Sequence, residues 1–159
     1  MARAGYRIAD EPVPGGLAHM AVRPVWPFFA MMFVGPWFSW PWFVLNGIAV
    51  GSPTRVRELI GAIVGFAGSF GIVYAIFHLV EAKVLTQAML PYAGIVLIAW
   101  KISVSYWLYM VQARTFEIYE YFGGIVRSGL VVVFVVYFAE GRVLWKVFEG
   151  QAMLSLAVN

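Results

Sequence analysis

The chain has no cysteine and a single aspartate, Asp10, among its 159 residues. Without thiols there can be no disulfide, no thiolate metal site and no dithiol redox chemistry. One aspartate in the N-terminal tail leaves little for carboxylate–metal catalysis inside the rest of the protein. The two histidines, His19 and His78, lie far apart, so neither a metal-ligand spacing nor a pair of axial haem ligands is present in the text. Walker loops, Gly-x-Ser-x-Gly and His-Glu-x-x-His are missing as well. The net charge of +3 is small and scattered, without the basic run that tracks phosphates, which argues against nucleic acid as a partner. No cofactor and no enzymatic activity are expected.

Charge of either sign is scarce. Only 12% of residues are charged, against about 25% in soluble domains. In its place stand 62% hydrophobic and 18% aromatic residues. A short soluble chain cannot hide that much apolar surface, because small domains bury only part of what the unfolded chain exposes. The expected fold class is therefore all-α: a polytopic integral membrane protein with about four transmembrane helices. The expected organisation is a polar N-terminal tail over 1–23 and one transmembrane helical domain over 24–159. The tail carries Arg3, Arg7, Asp10, Glu11 and Arg23 and is broken by Pro12, Pro14, Gly15 and Gly16. It lacks the short basic start and the apolar core of about 7–15 residues that make a signal peptide.

Four apolar segments give the expected spans, approximately 25–50, 59–80, 84–111 and 118–138. The first is uncharged from Val25 to Val50 and contains Pro27, Pro36 and Pro41, each of which removes a backbone donor. Its Pro-Trp-Phe-Ser-Trp-Pro-Trp-Phe run at 36–43 puts interface-loving tryptophans in mid-segment. A broken helix packed on protein, a steeply tilted helix and a re-entrant hairpin are the three alternatives. Ser52 and Pro53 then read as the N-cap and first position of the next helix. Within that helix Gly61, Gly65 and Ser69 recur every fourth residue, with Gly68 beside them, a small-residue face that lets another helix approach. Residues 140–150 read as an interfacial helix or as an extension of the fourth span, with Glu140, Arg142, Lys146 and Glu149 set largely apart from its apolar side.

Lys101 falls within the third expected span and Arg127 within the fourth. Each costs about 2.5–3.5 kcal/mol at the centre of a bilayer on insertion scales. Lys101, Ser105 and Gln112 share one helical face, with Tyr109 adjoining, and Glu117 and Glu120 are the nearest acids to Arg127. The expected pairing is Arg127 with Glu120, and Lys101 is expected to face protein. Arg114 and Glu117 are spaced to pair on a helix. His78 and Glu81, one turn apart, form a weaker candidate for a proton relay. Basic residues outside the spans number six on the side of both termini (Arg3, Arg7, Arg23, Lys83, Arg142, Lys146) and three on the other (Arg55, Arg57, Arg114). That count places both termini in the cytoplasm of a bacterial inner (plasma) membrane, provided the first segment crosses.

Two functions are compatible with this pattern. The first is a small non-catalytic subunit that assembles with, stabilises or positions a larger membrane complex. The second is an oligomeric transporter or channel lined by the Lys101/Arg127 stripe. The expected partners are the lipid bilayer and either a larger membrane protein or further copies of the chain.

Overall fold

A computed structural model describes residues 12–148, with side chains described as far as residue 139. Arg3, Arg7, Asp10 and Glu11 of the tail, and everything from residue 149 onward, lie outside the described residues. So do the side chains of residues 140–148, and with them the expected interfacial face. Helices make up the fold: α1 Val25–Phe33, α2 Pro36–Val50, α3 Arg55–Glu81, α4 Leu90–Tyr121 and α5 Leu130–Phe148. Short 3₁₀ turns at Ala18–Met20 and Gln87–Met89 precede α1 and α4. Among the described residues the only extended pairing is an isolated bridge between Val22 and Arg127.

The apolar run over 25–50 is not one kinked span. It breaks at Gly35, whose φ of 108° lies where L side chains are disfavoured, and Pro36 opens α2 in its first turn. The chain then folds back on itself. Ser39 Oγ donates to the Pro27 carbonyl at 2.7 Å. Further from the turn, the Asn46 side chain brackets Val22, accepting its N–H at 3.0 Å and donating to its carbonyl. Beyond that, the N–H of Val13 donates to the Gly51 carbonyl at 3.2 Å. Positions 13 and 51, 22 and 46, and 27 and 39 thus face each other across a helical hairpin with both ends at one level. The segment is thus two helices joined by a turn, the shape that the hairpin alternative requires. The physical reason is the Gly35-Pro36 pair: glycine supplies the turn, and proline cannot continue a helix begun before it.

Helices α3 and α4, of 27 and 32 residues, are about 40 and 48 Å long and antiparallel. Among the described residues they are the two helices long and apolar enough to cross a membrane, and only 28% and 22% of their most apolar stretches are buried. A core helix of a soluble protein would be mostly covered. The expected third span begins late, because Pro91 sits in the first turn of α4 and starts the helix rather than breaking it. It also ends late, at Tyr121, where Gly123 (φ 84°) turns the chain. Arg127 therefore lies in the connector to α5 and not inside a helix. Helix α5 runs alongside α1, with Gly129 against Trp26 and Tyr137 against Phe33, and its helical path through Phe148 takes in most of the 140–150 segment. The four crossings expected from hydropathy thus become one hairpin, two long helices and α5, whose apolar part spans Leu130–Ala139.

Polarity is inverted relative to a soluble protein. Ser39, Asn46, Glu58, Ser69, Lys101, Ser105, Gln112 and Thr115 are buried, while Ile60, Ile63, Val64, Phe70, Ile95, Val96, Ile98 and Met110 are exposed.

Candidate functional site: a buried carboxyl beneath the hairpin

Glu58 lies in the first turn of α3, whose other formally charged residues, Arg55, Arg57 and Glu81, are exposed at its two ends. Helix α2 ends at Gly51, in the left-handed conformation (φ 66°), and the N–H of Ser52 returns to the Gly47 carbonyl at 2.8 Å, closing the last turn. The chain is thereby turned so that Ser52 and Thr54 meet the first turn of α3. Thr54 occupies the cap position, two residues later than expected, and Ser52 Oγ accepts the Thr54 N–H at 3.1 Å. Glu58 then points inward and is fully buried. Its Oε1 accepts from Ser52 Oγ and from Thr54 Oγ1, both at 2.8 Å, and its Oε2 accepts from Gln112 Nε2 at 2.6 Å.

Gln112 reaches this carboxyl from α4 and donates also to the Phe43 carbonyl of α2. Three helices and a connector therefore converge on one acid. Gly47 makes room for it, since a Cβ there would overlap Glu58 Oε2. The arrangement can do two things chemically: tie α2, α3 and α4 together through neutral donors, and offer clustered hard oxygens to a small cation.

A second contact layer lies further up the hairpin. Trp40 is fully buried, donates from Nε1 to Ser105 Oγ at 2.8 Å and stacks edge-on against Phe66 at 4.7 Å. Gly65 receives its ring; a Cβ there would lie 2.9 Å from Trp40 and 2.8 Å from Val104. Gly61 and Gly68 lie against Trp107 and Trp100, and Trp100 Nε1 donates to the Gly65 carbonyl at 3.1 Å. Ser69 Oγ turns back to the same carbonyl at 2.9 Å. The small-residue face of α3 thus holds tryptophans of α2 and α4 from the same chain.

Of the residues singled out in the sequence, Lys101, Ser105 and Gln112 share the inward face of α4, and Lys101 is 4% exposed. One turn beyond Ser105, Lys101 lies level with the tip of the hairpin. Arg127 does not join them. It is exposed, its backbone is paired with Ala21 and Arg23, and the Arg127–Glu120 ion pair is not formed. Glu120 pairs instead with Arg23 at 3.0 Å, because the end of α4 lies beside the base of α1 rather than two turns below Arg127 on a shared helix. Glu117 and Arg114 are exposed at the same end. His78 and Glu81 stand 3.7 Å apart on the exposed end of α3, with Tyr74 against the imidazole at 4.4 Å.

Sequence reasoning missed Glu58 and Asn46. For Glu58 a signal was there, since it is the single acid between Glu11 and Glu81 and follows two hydroxyl residues, Ser52 and Thr54, near a helix start. Comparison with protein-family models, with curated proteins and with solved structures finds no match.

Proposed function

We propose that the chain is an integral membrane protein with a re-entrant hairpin, serving as a non-catalytic subunit that assembles with or positions a larger membrane complex. The observation that carries this reading is how the buried polar side chains are used. Ser39 joins α2 to α1, Asn46 joins α2 to Val22, Trp40 and Ser105 join α2 to α4, and Glu58 with Gln112 joins α3 to α4. Each holds one element to another, as a scaffold requires. The transport reading loses the geometry that motivated it, since Arg127 is not beside Lys101. The outward apolar faces of α3 and α4 then meet lipid or a partner subunit.

The experiment is extraction in mild detergent followed by purification through a tag on this chain. A foreign membrane protein at fixed stoichiometry is the expected result. Recovery of homo-oligomers alone, with a solute flux on reconstitution, would shift the assignment to transport.

The hairpin also revises the topology. With both of its ends at one level, Arg23, Arg55, Arg57, Arg114 and Arg127 gather at one end of the helices and Lys83 stands at the other. Among the residues with described side chains outside the long apolar stretches, five against one favours the arginine end as the cytoplasmic one. Helices α3, α4 and α5 then make three crossings, with the base of the hairpin inside and the far end of α5 outside, in place of an even number of crossings. The cysteine-free background suits a direct check by single-cysteine labelling with an impermeant reagent. Leu17→Cys, Arg55→Cys and Ser128→Cys are expected to react from one side and Lys83→Cys from the other. Opposite accessibility of Leu17→Cys and Arg55→Cys would show that the first segment crosses after all.

A further inference from the structure

Ser52 Oγ, Thr54 Oγ1 and Glu58 Oε1 form a triangle whose three edges are each 2.8 Å. Oxygens that close need a proton or a cation between every pair. The two hydroxyls bring two protons, so one edge is left without positive charge. A second, independent feature lies on the other side of the same carboxyl. Gln112 is fully buried and directs its amide nitrogen to Glu58 Oε2 and the Phe43 carbonyl, while its own Oε1 has no hydrogen-bond partner. A stranded acceptor next to a crowded carboxyl asks for the same complement as the triangle does.

The oxygens in place are all hard, from one carboxyl and two hydroxyls, with the unpartnered amide oxygen of Gln112 behind them. Such a set suits alkali and alkaline-earth ions over transition metals. The single carboxylate is neutralised by one positive charge, whereas a divalent ion would leave a net charge buried in apolar surroundings. We propose that the Ser52–Thr54–Glu58 triangle, backed by Gln112, binds one small monovalent cation of the size of sodium. The ion caps the triangle, and a turn of the Gln112 amide brings Oε1 toward the carboxyl as a further ligand. Entry is from the arginine end, where Pro53 is exposed and Thr54 half-buried. Because the ligands come from the α2–α3 connector, α3 and α4, bound cation locks the base of the hairpin to the two long helices. This reading stands whether or not the chain is a subunit of a larger complex.

The test uses the purified full-length chain in mild detergent at constant pH and ionic strength, with sodium chloride replaced stepwise by choline chloride. The unfolding midpoint is expected to rise saturably with sodium, and equilibrium binding of radioactive sodium is expected to approach one ion per chain. Glu58→Gln should abolish both. Thr54→Val, which removes one oxygen from a half-buried position while keeping the side chain's shape, should fold normally and weaken sodium binding at least tenfold; it decides the matter if Glu58→Gln fails to fold. Equal midpoints in sodium and choline would overturn the proposal, as would sodium binding undiminished in Thr54→Val. A midpoint that follows pH and ignores sodium would also overturn it, in favour of a proton on the third edge.

Discussion

Trp40→Ala is expected to be among the most damaging single substitutions in the chain, lowering stability by about 3 kcal/mol, the low end of the range for truncating a buried aromatic. The low end applies because the proposed lipid surroundings, unlike water, would remove part of the transfer contribution, whereas the cavity and the lost dispersion contacts remain. Trp40 has no exposed surface and packs with Phe43, Ala62 and Leu108 at the centre of the main apolar cluster. Its removal empties the space that Gly65 leaves open on α3 and strands the Ser105 hydroxyl in the interior. The loss falls on the contact that seats the hairpin against α3 and α4, so proteolysis should reach the 34–36 turn sooner. Trp37 and Trp42 are the controls. They are half-buried rather than sealed, and line an apolar cleft of about 570 Å³ shared with Leu17, Met20 and Val132. Their replacement by alanine should cost well under half as much, as measured by equilibrium unfolding in mixed micelles. Equal losses at positions 40 and 42 would show that the hairpin is not held through Trp40.

The helical class, the apolar exterior and the small-residue face of α3 were legible in the text because each depends on local composition and spacing. The inward stripe of Lys101, Ser105 and Gln112 was legible for the same reason, as α4 is one uninterrupted helix and the period of 3.6 carries across it. The path of the first segment was not. Hydropathy counts length, and 26 apolar residues read alike whether they cross a bilayer or enter and return; only the Gly35-Pro36 turn distinguishes the two, and it was one of three proline sites in the run. That ambiguity propagated. Reading the segment as one crossing set Arg55 and Arg57 opposite Arg23 in the charge count, whereas the hairpin brings all three to one end of the helices, and it hid that Arg23, at the hairpin's base, would stand beside Glu120. Arg127 was misplaced because the boundary between α4 and α5 is set by Gly123 and the pairing of the connector with Val22, a contact over a hundred residues away in sequence. Glu58 escaped notice because a lone acid at a helix start usually faces water and favours the helix dipole. Its burial comes from Gly47 and Gln112, brought in by two other helices.

Gly47→Ala carries the second large effect. A methyl group there would occupy the position of Glu58 Oε2 and would lie 3.3 Å from Gln112 Nε2. The backbone of α2 cannot retreat easily, since the Gly47 carbonyl accepts from Ser52 and the neighbouring Asn46 is fixed to Val22. Glu58 must therefore give way, and in doing so it loses its three donors. The expected cost is about 3 kcal/mol, the top of the usual overpacking range, with sodium-dependent stabilisation lost in parallel. Gly71→Ala is the contrast. It sits mid-way along α3 with nothing within 4 Å of the added carbon, and it should be neutral or stabilising by up to about 1 kcal/mol through helix propensity. A double-mutant cycle separates sterics from loss of helix flexibility. If the methyl group acts by displacing the carboxyl, Gly47→Ala should cost far less in a Glu58→Ala background, with a coupling of about 1–3 kcal/mol between the two positions. Additive losses would mean that alanine at 47 perturbs α2 itself and that the carboxyl is not what fills the space beside it.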